Sequence, residues 1–256
     1  MFKIDYEKKV GEITKFIAAK LAQSGISRIV IGLSGGIDSA LSAALATKSV
    51  GVDNLHILML PYGDLNLSGV RDARIILNHL GIPERNCESI DIKPAVEAVL
   101  GSSSGVNDLR GGNIMARMRM IYIYDRAKQL NALVCGTENR TEYCLGYFTR
   151  FGDEASDLEP IQSLYKTQVW ELARYLDLPK LIIDKAPAAD LWAGQTDEIE
   201  LGFNYETADK ILYYTYENKL TPEQIVEKGL KKEIVNKVLT RVKNNEFKHI
   251  LPFTLE

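Results

Sequence analysis

The sequence predicts a three-layer α/β protein, with a doubly wound, mostly parallel sheet of about five strands and helices on both faces. Short apolar runs rich in Val, Ile and Leu alternate with segments of helical periodicity through the first half of the chain. From about Thr167 the periodicity is helical, which predicts a helical C-terminal part. Because no repeat or linker interrupts these patterns, we expect residues 1–256 to form a single domain.

Local patterns predict the elements in order. The recurrence of Ile13, Ile17 and Leu21 at helical spacing predicts an amphipathic helix over residues 5–22. Strands are predicted at residues 28–33, 55–60, 87–92 and 132–135. Helices are predicted at residues 40–48, 70–80, 94–100, 113–129, 221–228 and 231–244.

Composition narrows the class of protein. A chain of 256 residues that is 46% hydrophobic can bury a large core. Its net charge of -3 gives no general basic field, so we expect no nucleic-acid partner. The N-terminal segment lacks an apolar signal core and no apolar run approaches the length of a membrane span, so we expect a cytoplasmic protein without membrane association. Cys87, Cys135 and Cys144 form no metal-ligand or disulfide pattern, which fits a reducing compartment.

The main functional signal lies where the first predicted strand ends at a small-residue turn. Glycines there let an anion approach main-chain N–H groups, and the following helix directs its free N–H groups to the same point. A carboxylate in such a turn would repel phosphate unless a divalent cation lay between them, so we interpret Asp38 as a Mg²⁺ ligand. No Walker loop or Gly-x-Gly-x-x-Gly fingerprint occurs, and an ordinary tight turn is the alternative. The predicted phosphate loop comprises Gly32, Leu33, Ser34, Gly35, Gly36, Ile37, Asp38 and Ser39.

A second polar cluster follows the strand predicted at residues 132–135. Because the carboxyl ends of parallel strands share one edge of a sheet, this cluster should lie beside the phosphate loop. Glu142 would then supply a second carboxylate to the cation at Asp38, and Thr137 would reach a ribose or phosphate oxygen. The alternative is a helix cap, with Thr137 as N-cap and Glu142 in solvent.

The two clusters together carry a family resemblance. Ser-Gly-Gly-Ile-Asp-Ser at 34–39 resembles the pyrophosphate loop of the ATP pyrophosphatases, which cleave ATP between its α- and β-phosphorus atoms. From about residue 28 to about 205 the chain resembles the ammonia-dependent NAD⁺ synthetases. The most specific stretch is Gly-Thr-Glu-Asn-Arg-Thr-Glu-Tyr-Cys-Leu-Gly-Tyr-Phe-Thr-Arg-Phe-Gly-Asp at 136–153, supported by Leu-Pro-Tyr-Gly at 60–63 and Ala-Pro-Ala-Ala-Asp-Leu at 186–191.

The resemblance implies a ligase of NAD⁺ biosynthesis. Such enzymes adenylate the nicotinate carboxylate of deamido-NAD⁺ with ATP and Mg²⁺, release pyrophosphate, and let ammonia displace AMP. The chain has no room for the amidase domain of glutamine-using members, so we expect free ammonia, or ammonia from a separate partner, as the donor. Family members form homodimers with deamido-NAD⁺ at the interface, and the apolar circumference of the helix predicted at 113–129 is compatible with this.

The resemblance also implies roles for single residues. Asp153 would deprotonate ammonium, and Asp38 and Glu142 would hold the metal. Besides the loop, the implied ATP contacts are Thr137, Lys166 and Ala188. The implied deamido-NAD⁺ contacts are Arg117, Arg150, Asp157, Lys248 and His249.

The sequence departs from the family pattern at four places. The family often has lysine where this chain has Met115 and Arg150, and often threonine where it has Ala188. A His-Lys pair near the C-terminus is seen here as Lys248-His249. Ala188 cannot donate a hydrogen bond, which leaves one ATP contact in question, whereas Arg150 keeps the charge with a different donor geometry.

Two other functions compete with this interpretation. A tRNA-modifying ligase or thiolase with the same loop would need a strongly basic surface or a cysteine pair, and neither is evident. Cys135 and Cys144 are typical of small core residues rather than nucleophiles. A non-catalytic nucleotide-binding regulator would need no metal ligands, yet Asp38 and Glu142 are present.

Overall fold

The computed structural model describes residues 4–188, 191–192, 194–250 and 252–254. Within them, a sheet of four parallel strands has the order β3-β2-β1-β4. The strands are β1 (Arg28–Gly32), β2 (Leu55–Met59), β3 (Cys87–Ser89) and β4 (Ala132–Cys135). All four begin where the sequence predicts.

The prediction of about five strands was one too many for the part of the chain described. Beside β4 there is only an isolated parallel bridge between Cys135 and Leu158. Pro160 follows two residues later and lacks the N–H that an extended ladder would need. The fifth position is therefore held by a single bridge instead of a strand.

Helices precede, separate and follow the strands. None of those described here combines the length and the apolar character that crossing a bilayer requires. The α-helices are α1 (Tyr6–Ser24), α2 (Ile37–Val50), α3 (Leu67–Leu80), α4 (Lys93–Gly101), α5 (Asp108–Leu130), α6 (Arg140–Leu145), α7 (Lys166–Tyr175), α8 (Lys180–Ile183), α9 (Asp197–Leu201), α10 (Tyr205–Tyr216), α11 (Pro222–Glu227) and α12 (Lys232–Asn245). A 3₁₀ turn at Glu246–His249 follows α12.

The sheet is covered on both faces, as predicted. Alternate residues of β1 point to opposite sides. Ile29 and Ile31 pack with apolar side chains of α1, α2, α3, α7 and α8. Val30 packs on the other side with residues of α4 and α5, including Val96 and Met115. The result is the doubly wound, three-layer arrangement.

The C-terminal helices have an apolar core of their own. Tyr205, Ile211 and Val235 are fully buried in it, together with residues of α6, α11 and α12. Trp170 on α7 is partly buried and packs against both this core and the α7 face of the sheet. The helical C-terminal part predicted from the sequence is thereby confirmed.

Candidate active site

A cleft of about 580 Å³ opens at the carboxyl ends of β1, β2 and β4. Gly32, Leu60 and Gly136, which end or follow these strands, all line it. Ligands of open parallel sheets bind at this edge. The two polar clusters predicted from the sequence do meet there.

The loop after β1 is organised by its serines. Ser34 Oγ lies 3.1 Å from Ser39 Oγ, and it accepts a hydrogen bond from the Gly36 N–H at 3.2 Å. Helix α2 begins at Ile37, three residues before the predicted start at residue 40. Its N-cap residue is Gly36, which has no side chain to accept a hydrogen bond from the first N–H groups. The first N–H groups of α2 consequently remain available to an anion in the cleft.

Glycine is required where this loop touches α3. Gly35 has φ of +82°, a conformation that residues with a Cβ rarely adopt. A Cβ there would clash with the Gly69 carbonyl oxygen and lie 3.0 Å from Asp72 Cβ. A Cβ at Gly69 would in turn lie 2.6 Å from the Ser34 carbonyl oxygen. The loop and α3 approach each other as closely as two backbones allow.

A buried lysine lies between two carboxylates of the cleft. Lys166 Nζ is 2.6 Å from Asp38 Oδ2 and 3.0 Å from Glu142 Oε1. The Lys166 side chain is 2% exposed, whereas the two carboxylates are 19% and 16% exposed. The Nζ atom also lies 4.9 Å from the centre of the Tyr205 ring. The three residues predicted to serve ATP and metal therefore form one ionic cluster.

Asn139 positions this cluster at the start of α6. It is the N-cap of α6 and accepts the Glu142 N–H at 3.0 Å. Its amide also donates to Asp38 Oδ1 at 2.9 Å. The helix-cap alternative, with Thr137 as N-cap and Glu142 in solvent, is therefore wrong: Asn139 is the cap and Glu142 faces the cleft. Thr137 also lines the cleft.

Three residues that sequence reasoning missed hold the cluster from the C-terminal helices. Asp209 is fully buried, and its carboxylate accepts from Thr141 Oγ1 at 2.5 Å and from the Thr167 N–H at 2.8 Å. The Tyr205 hydroxyl donates to Asp197 Oδ2 at 2.8 Å. The partners of Asp209 are 68 and 42 positions away in the chain, so no local spacing predicts these contacts.

Burial and charge act in opposite directions on the ionic cluster. Burial lowers the pKa of Lys166, but Asp38 and Glu142 outweigh it and keep the pKa above its usual value. Burial raises the pKa of Glu142, the Lys166 ammonium lowers it, and repulsion from Asp38 raises it further. A cation among these carboxylates is thus strongly favoured.

Asp153 lines the same cleft, as the predicted base requires. Its Oδ1 accepts the Thr149 N–H at 3.0 Å, which fixes the carboxylate in the turn after Phe148. Asp153 is accessible from the cleft. The surrounding protein nevertheless removes water from its carboxylate, and this desolvation raises the pKa of Asp153. Hydrogen bonds from Thr149 oppose this rise. A raised pKa suits a group that must take a proton near neutral pH.

The residues predicted to bind deamido-NAD⁺ divide into two sets. Lys248 lines the cleft and donates to the carbonyl oxygens of Gly146 and Phe148, at 2.6 and 2.8 Å. Four others are not among the lining residues of the described cleft: Arg117, Arg150, Asp157 and His249. Arg117 Nη2 donates to the Arg150 carbonyl oxygen at 3.1 Å.

Two of those four make contacts of their own. Asp157 Oδ2 accepts the Val134 N–H at 2.7 Å. His249 stacks on Tyr143 with 4.2 Å between ring centres. All four remain predictions as substrate contacts.

The cysteines and the divergent positions have simple surroundings. Burial raises the pKa of Cys135 far above its usual range and that of Cys144 to about 11, so neither is a thiolate at neutral pH. Met115 is buried in the core between α5 and the sheet. Ala188 lines the cleft.

The donor chemistry at Asp38 and Glu142 fits a hard divalent cation. Both groups are carboxylates, and they converge on the point where Lys166 Nζ lies. Within the part of the chain the structure describes, no group of three or more His, Cys, Asp or Glu residues is arranged to hold a metal ion. Two protein carboxylates suffice for Mg²⁺, which keeps several waters and takes further oxygens from bound phosphates.

A parallel sheet with a serine- and glycine-rich loop, a helix N-terminus and opposed carboxylates at one edge defines a nucleotide-binding enzyme of the α/β class. The family model described as NAD synthase matches residues 9–252. The chain belongs to the NAD synthase family.

Relatives and solved structures agree with this assignment. The chain is 47% identical to the NH(3)-dependent NAD(+) synthetase of Thermococcus kodakarensis, over 97% of both chains. It is 42% identical to the protein of that name from Pyrococcus furiosus, over 98% of this chain and 95% of the relative.

Two solved structures are similar over nearly their whole length. The structure of the NMN synthetase of Francisella tularensis has a TM-score of 0.87 at 34% sequence identity, and the similarity covers 99% of this chain and 100% of that chain. The NH3-dependent NAD synthetase of Campylobacter jejuni, solved with a nitrate ion, has a TM-score of 0.84 at 30% identity over the same shares, 99% and 100%.

Proposed function

We propose that this protein makes NAD⁺ by ATP-dependent amidation of deamido-NAD⁺ with ammonia, releasing AMP and pyrophosphate. The observation that carries the proposal is that the phosphate loop and Asp153 line one cleft in a chain of the NAD synthase family. One group of residues serves ATP activation and another serves ammonia, and both act on one carboxylate. The ligase resemblance of the sequence supports the same chemistry.

Activation of the carboxylate comes first, because a carboxylate is a poor acyl electrophile. One nicotinate oxygen attacks the α-phosphorus of ATP, a new P–O bond forms, and the bond to the β-phosphate oxygen breaks. The N–H groups of residues 34–39, with Ser34 and Ser39, hold the leaving pyrophosphate. Lys166 offsets the charge that moves onto it. Thr137 and Ala188 contact the nucleotide, with Ala188 contributing no side-chain donor.

Amide formation follows at Asp153. Ammonium enters the cleft, and the Asp153 carboxylate takes one of its protons, which produces ammonia with a free electron pair. Ammonia attacks the carbonyl carbon of the mixed anhydride, the bond to the AMP oxygen breaks, and AMP leaves with the surplus proton of the attacking nitrogen on its phosphate. The bond between Thr149 N–H and Asp153 holds the base in place during both events.

Asp38 and Glu142 hold Mg²⁺ in this proposal. When bound, the cation would supply charge neutralisation for the carboxylates and for the phosphates of ATP. The Lys166 ammonium would have to make room for it, since its Nζ bridges Asp38 and Glu142. Phosphate oxygens of ATP give Lys166 an alternative partner.

Deamido-NAD⁺ enters the cleft beside Lys248 and extends beyond it in this proposal, since its other proposed contacts do not line the cleft. Its proposed contacts are Arg117, Arg150, Asp157, Lys248 and His249. Arg150 lies over the rings of Phe151 and Phe247, at 5.1 and 5.8 Å, so its guanidinium is pre-oriented while one nitrogen stays unpaired. Such a group suits a phosphate or carboxylate of the dinucleotide.

Assembly and location extend the proposal. A homodimer through α5 is supported by the exposed Leu109 and Ile121 on that helix.

A single domain over residues 1–256 is supported by Trp170, which packs against two cores. A cytoplasmic location is supported by three free cysteines. Sedimentation velocity of the purified chain tests the dimer.

Oxygen-18 tests the adenylate directly. Deamido-NAD⁺ labelled with ¹⁸O in the nicotinate carboxylate is incubated with ATP, Mg²⁺ and ammonium, and the AMP is analysed by mass spectrometry. The proposal predicts one ¹⁸O atom in the phosphate of each AMP. Unlabelled AMP would contradict it. Nicotinate mononucleotide as a second acceptor tests the activity that the similarity to an NMN synthetase suggests.

A further inference from the structure

Lys185 is a lysine of the cleft that the proposed chemistry leaves without a role. It lines the cleft three residues before Ala188, and its Nζ lies 2.9 Å from Asp72 Oδ2. Asp72 is on α3 and its side chain is 7% exposed, while that of Lys185 is 28% exposed. The lysine is thus tied by a buried carboxylate but keeps access to the cleft.

The ion pair between Lys185 and Asp72 lies directly beside the phosphate loop. Asp72 is the residue whose Cβ lies 3.0 Å from where a Cβ of Gly35 would be. Gly69, one turn earlier on α3, touches the same loop. The Lys185 ammonium is therefore anchored at the place where the loop packs on α3, and not elsewhere along the rim.

The other described cations that line the cleft are engaged in different ways. Lys166 is held by Asp38 and Glu142, and Lys248 donates to two carbonyl oxygens. Arg119 Nε donates to the Leu60 carbonyl oxygen at 3.0 Å. Arg241 lies over the Tyr147 ring. Lys185 combines a location beside the loop with partial exposure and a four-carbon stem that can turn.

We infer that Lys185 binds the β- and γ-phosphates of ATP and then the pyrophosphate that they become. The Lys185 ammonium exchanges its Asp72 partner for phosphate oxygens when the nucleotide enters, and returns when pyrophosphate leaves. Phosphate carries more charge than one carboxylate, so the exchange is favourable in a closed cleft. This assignment rests on the proposed ATP chemistry and adds a residue to it.

Binding of α,β-methylene-ATP, pyrophosphate and AMP, measured by calorimetry with Mg²⁺, tests the assignment. We expect Lys185→Met to weaken α,β-methylene-ATP and pyrophosphate by about tenfold or more, the usual effect of losing a charge-assisted bond. AMP binding should change less than twofold. The matched control is Lys180→Met, which removes a lysine that is 87% exposed and paired with Asp184.

Asp72→Asn separates ligand contact from mere support. If Lys185 serves phosphate, freeing it from Asp72 leaves α,β-methylene-ATP binding unchanged or tighter, whereas Lys185→Met weakens it. If the pair only fastens the segment to α3, both variants weaken binding equally, and the assignment is overturned. Unchanged binding in Lys185→Met overturns it as well.

Folding and function are controlled separately. Lys185→Met leaves Asp72 buried without its lysine, so the double variant Asp72→Asn/Lys185→Met removes both charges and should show the same loss of pyrophosphate binding. Full binding by the double variant would refute the contact. Because these measurements use no acceptor, failure to form NAD⁺ would refute the proposed function and leave the Lys185 result readable.

Discussion

The ammonium group of Lys166 lies 2.6 Å from the carboxylate of Asp38, although the two residues are 128 positions apart in the chain. Glu142 completes the arrangement at 3.0 Å from the same nitrogen. The contact joins the loop after β1 to the start of α7. A metal ion held by Asp38 and Glu142 would have to be accommodated in this cluster.

Lys166→Met should make the protein less stable and more responsive to Mg²⁺. Removing one partner of a buried ion pair costs about 3 kcal/mol or more, because carboxylates are left facing each other. A divalent cation can replace the lost charge. We expect MgCl₂ at a concentration on the order of millimolar to raise the midpoint temperature of unfolding more for this variant than for wild type.

The control for this experiment is Lys93→Met. Lys93 is 46% exposed and pairs with Glu97, so its loss should change stability little and Mg²⁺ response not at all. Equal Mg²⁺ responses in wild type and Lys166→Met would argue against a metal site at Asp38 and Glu142.

Asp153→Asn should separate ATP consumption from amide formation. The amide cannot accept a proton from ammonium, whereas the loop that activates the carboxylate is untouched. We expect ATP still to be consumed on deamido-NAD⁺, giving pyrophosphate and the adenylate, while NAD⁺ formation falls by about a hundredfold or more, within the usual range for a general base. Both nucleotides are measured by chromatography.

Glu154→Gln is the matched control for Asp153→Asn. Its Oε2 accepts the Phe151 N–H at 3.2 Å, a bond that an amide oxygen can keep, and it is not among the described residues of the cleft lining. It should keep wild-type activity. Unchanged ammonia-dependent turnover in Asp153→Asn would remove Asp153 from the mechanism.

Gly35→Ala should abolish nucleotide binding. The new Cβ meets the Gly69 carbonyl oxygen, and φ of +82° is strained for alanine, so the loop must move away from α3. We expect a loss of at least about 1 kcal/mol in stability and no measurable ATP binding by calorimetry.

Gly11→Ala is the control for Gly35→Ala, because it should change the free energy of unfolding in the opposite direction. Gly11 lies inside α1 with nothing within 4 Å of an added Cβ. The free energy of unfolding should rise by about 0.5–1 kcal/mol with ATP binding unchanged. Normal ATP binding by Gly35→Ala would show that the loop does not need its contact with α3.

Glu138→Gln should stabilise the protein increasingly as pH rises. Glu138 is buried, its Oε1 has no hydrogen-bond partner, and burial raises its pKa from 4.5 to about 9. Because the folded-state pKa is raised, the contribution of the neutral acid is complete below pH 4.5 and is lost as pH rises through about 9. Glutamine is neutral throughout and can still accept from Gln162.

Urea unfolding between pH 5 and about 9 measures this effect. The stability of the variant relative to wild type should increase by at most about 1.4 kcal/mol per pH unit. The control is Glu206→Gln, which alters an exposed residue at the start of α10. A difference that stays constant with pH would mean that Glu138 is ionised in the folded protein.

The sequence predicted which residues meet in the cleft better than it predicted the buried hydrogen bonds that hold them. Asp38 and Glu142 lie in short motifs that follow strands, and parallel topology brings strand ends together, so their shared cleft was predictable, whereas Asp153 was expected there only from the family resemblance. Asp209 contacts Thr141 across 68 positions and Tyr205 contacts Glu142 across 63, and no local period carries information over such separations. Their roles required the packing of the C-terminal helices on α6 and α7.

The sheet shows the same division. The starts of β1, β2 and β4 were predictable from apolar runs, because burial on both faces imposes them, whereas β3 is the short, partly exposed segment Cys-Glu-Ser. The lack of a fifth strand among the described residues was not predictable, because Leu158 still pairs with Cys135, and Pro160, two residues later, cannot donate to a ladder. Helix α5 begins at Asp108 instead of residue 113, because its N-cap Asn107 lies before the apolar pattern.

The most direct measurement mixes the purified protein with deamido-NAD⁺, ATP, Mg²⁺ and ammonium and quantifies NAD⁺, AMP, ADP and pyrophosphate. The account predicts NAD⁺, AMP and pyrophosphate in equal amounts, no ADP, and no product when glutamine replaces ammonium. AMP without NAD⁺ would assign the ATP chemistry to another acceptor such as tRNA. Absence of AMP would contradict the account and favour a nucleotide-binding regulator.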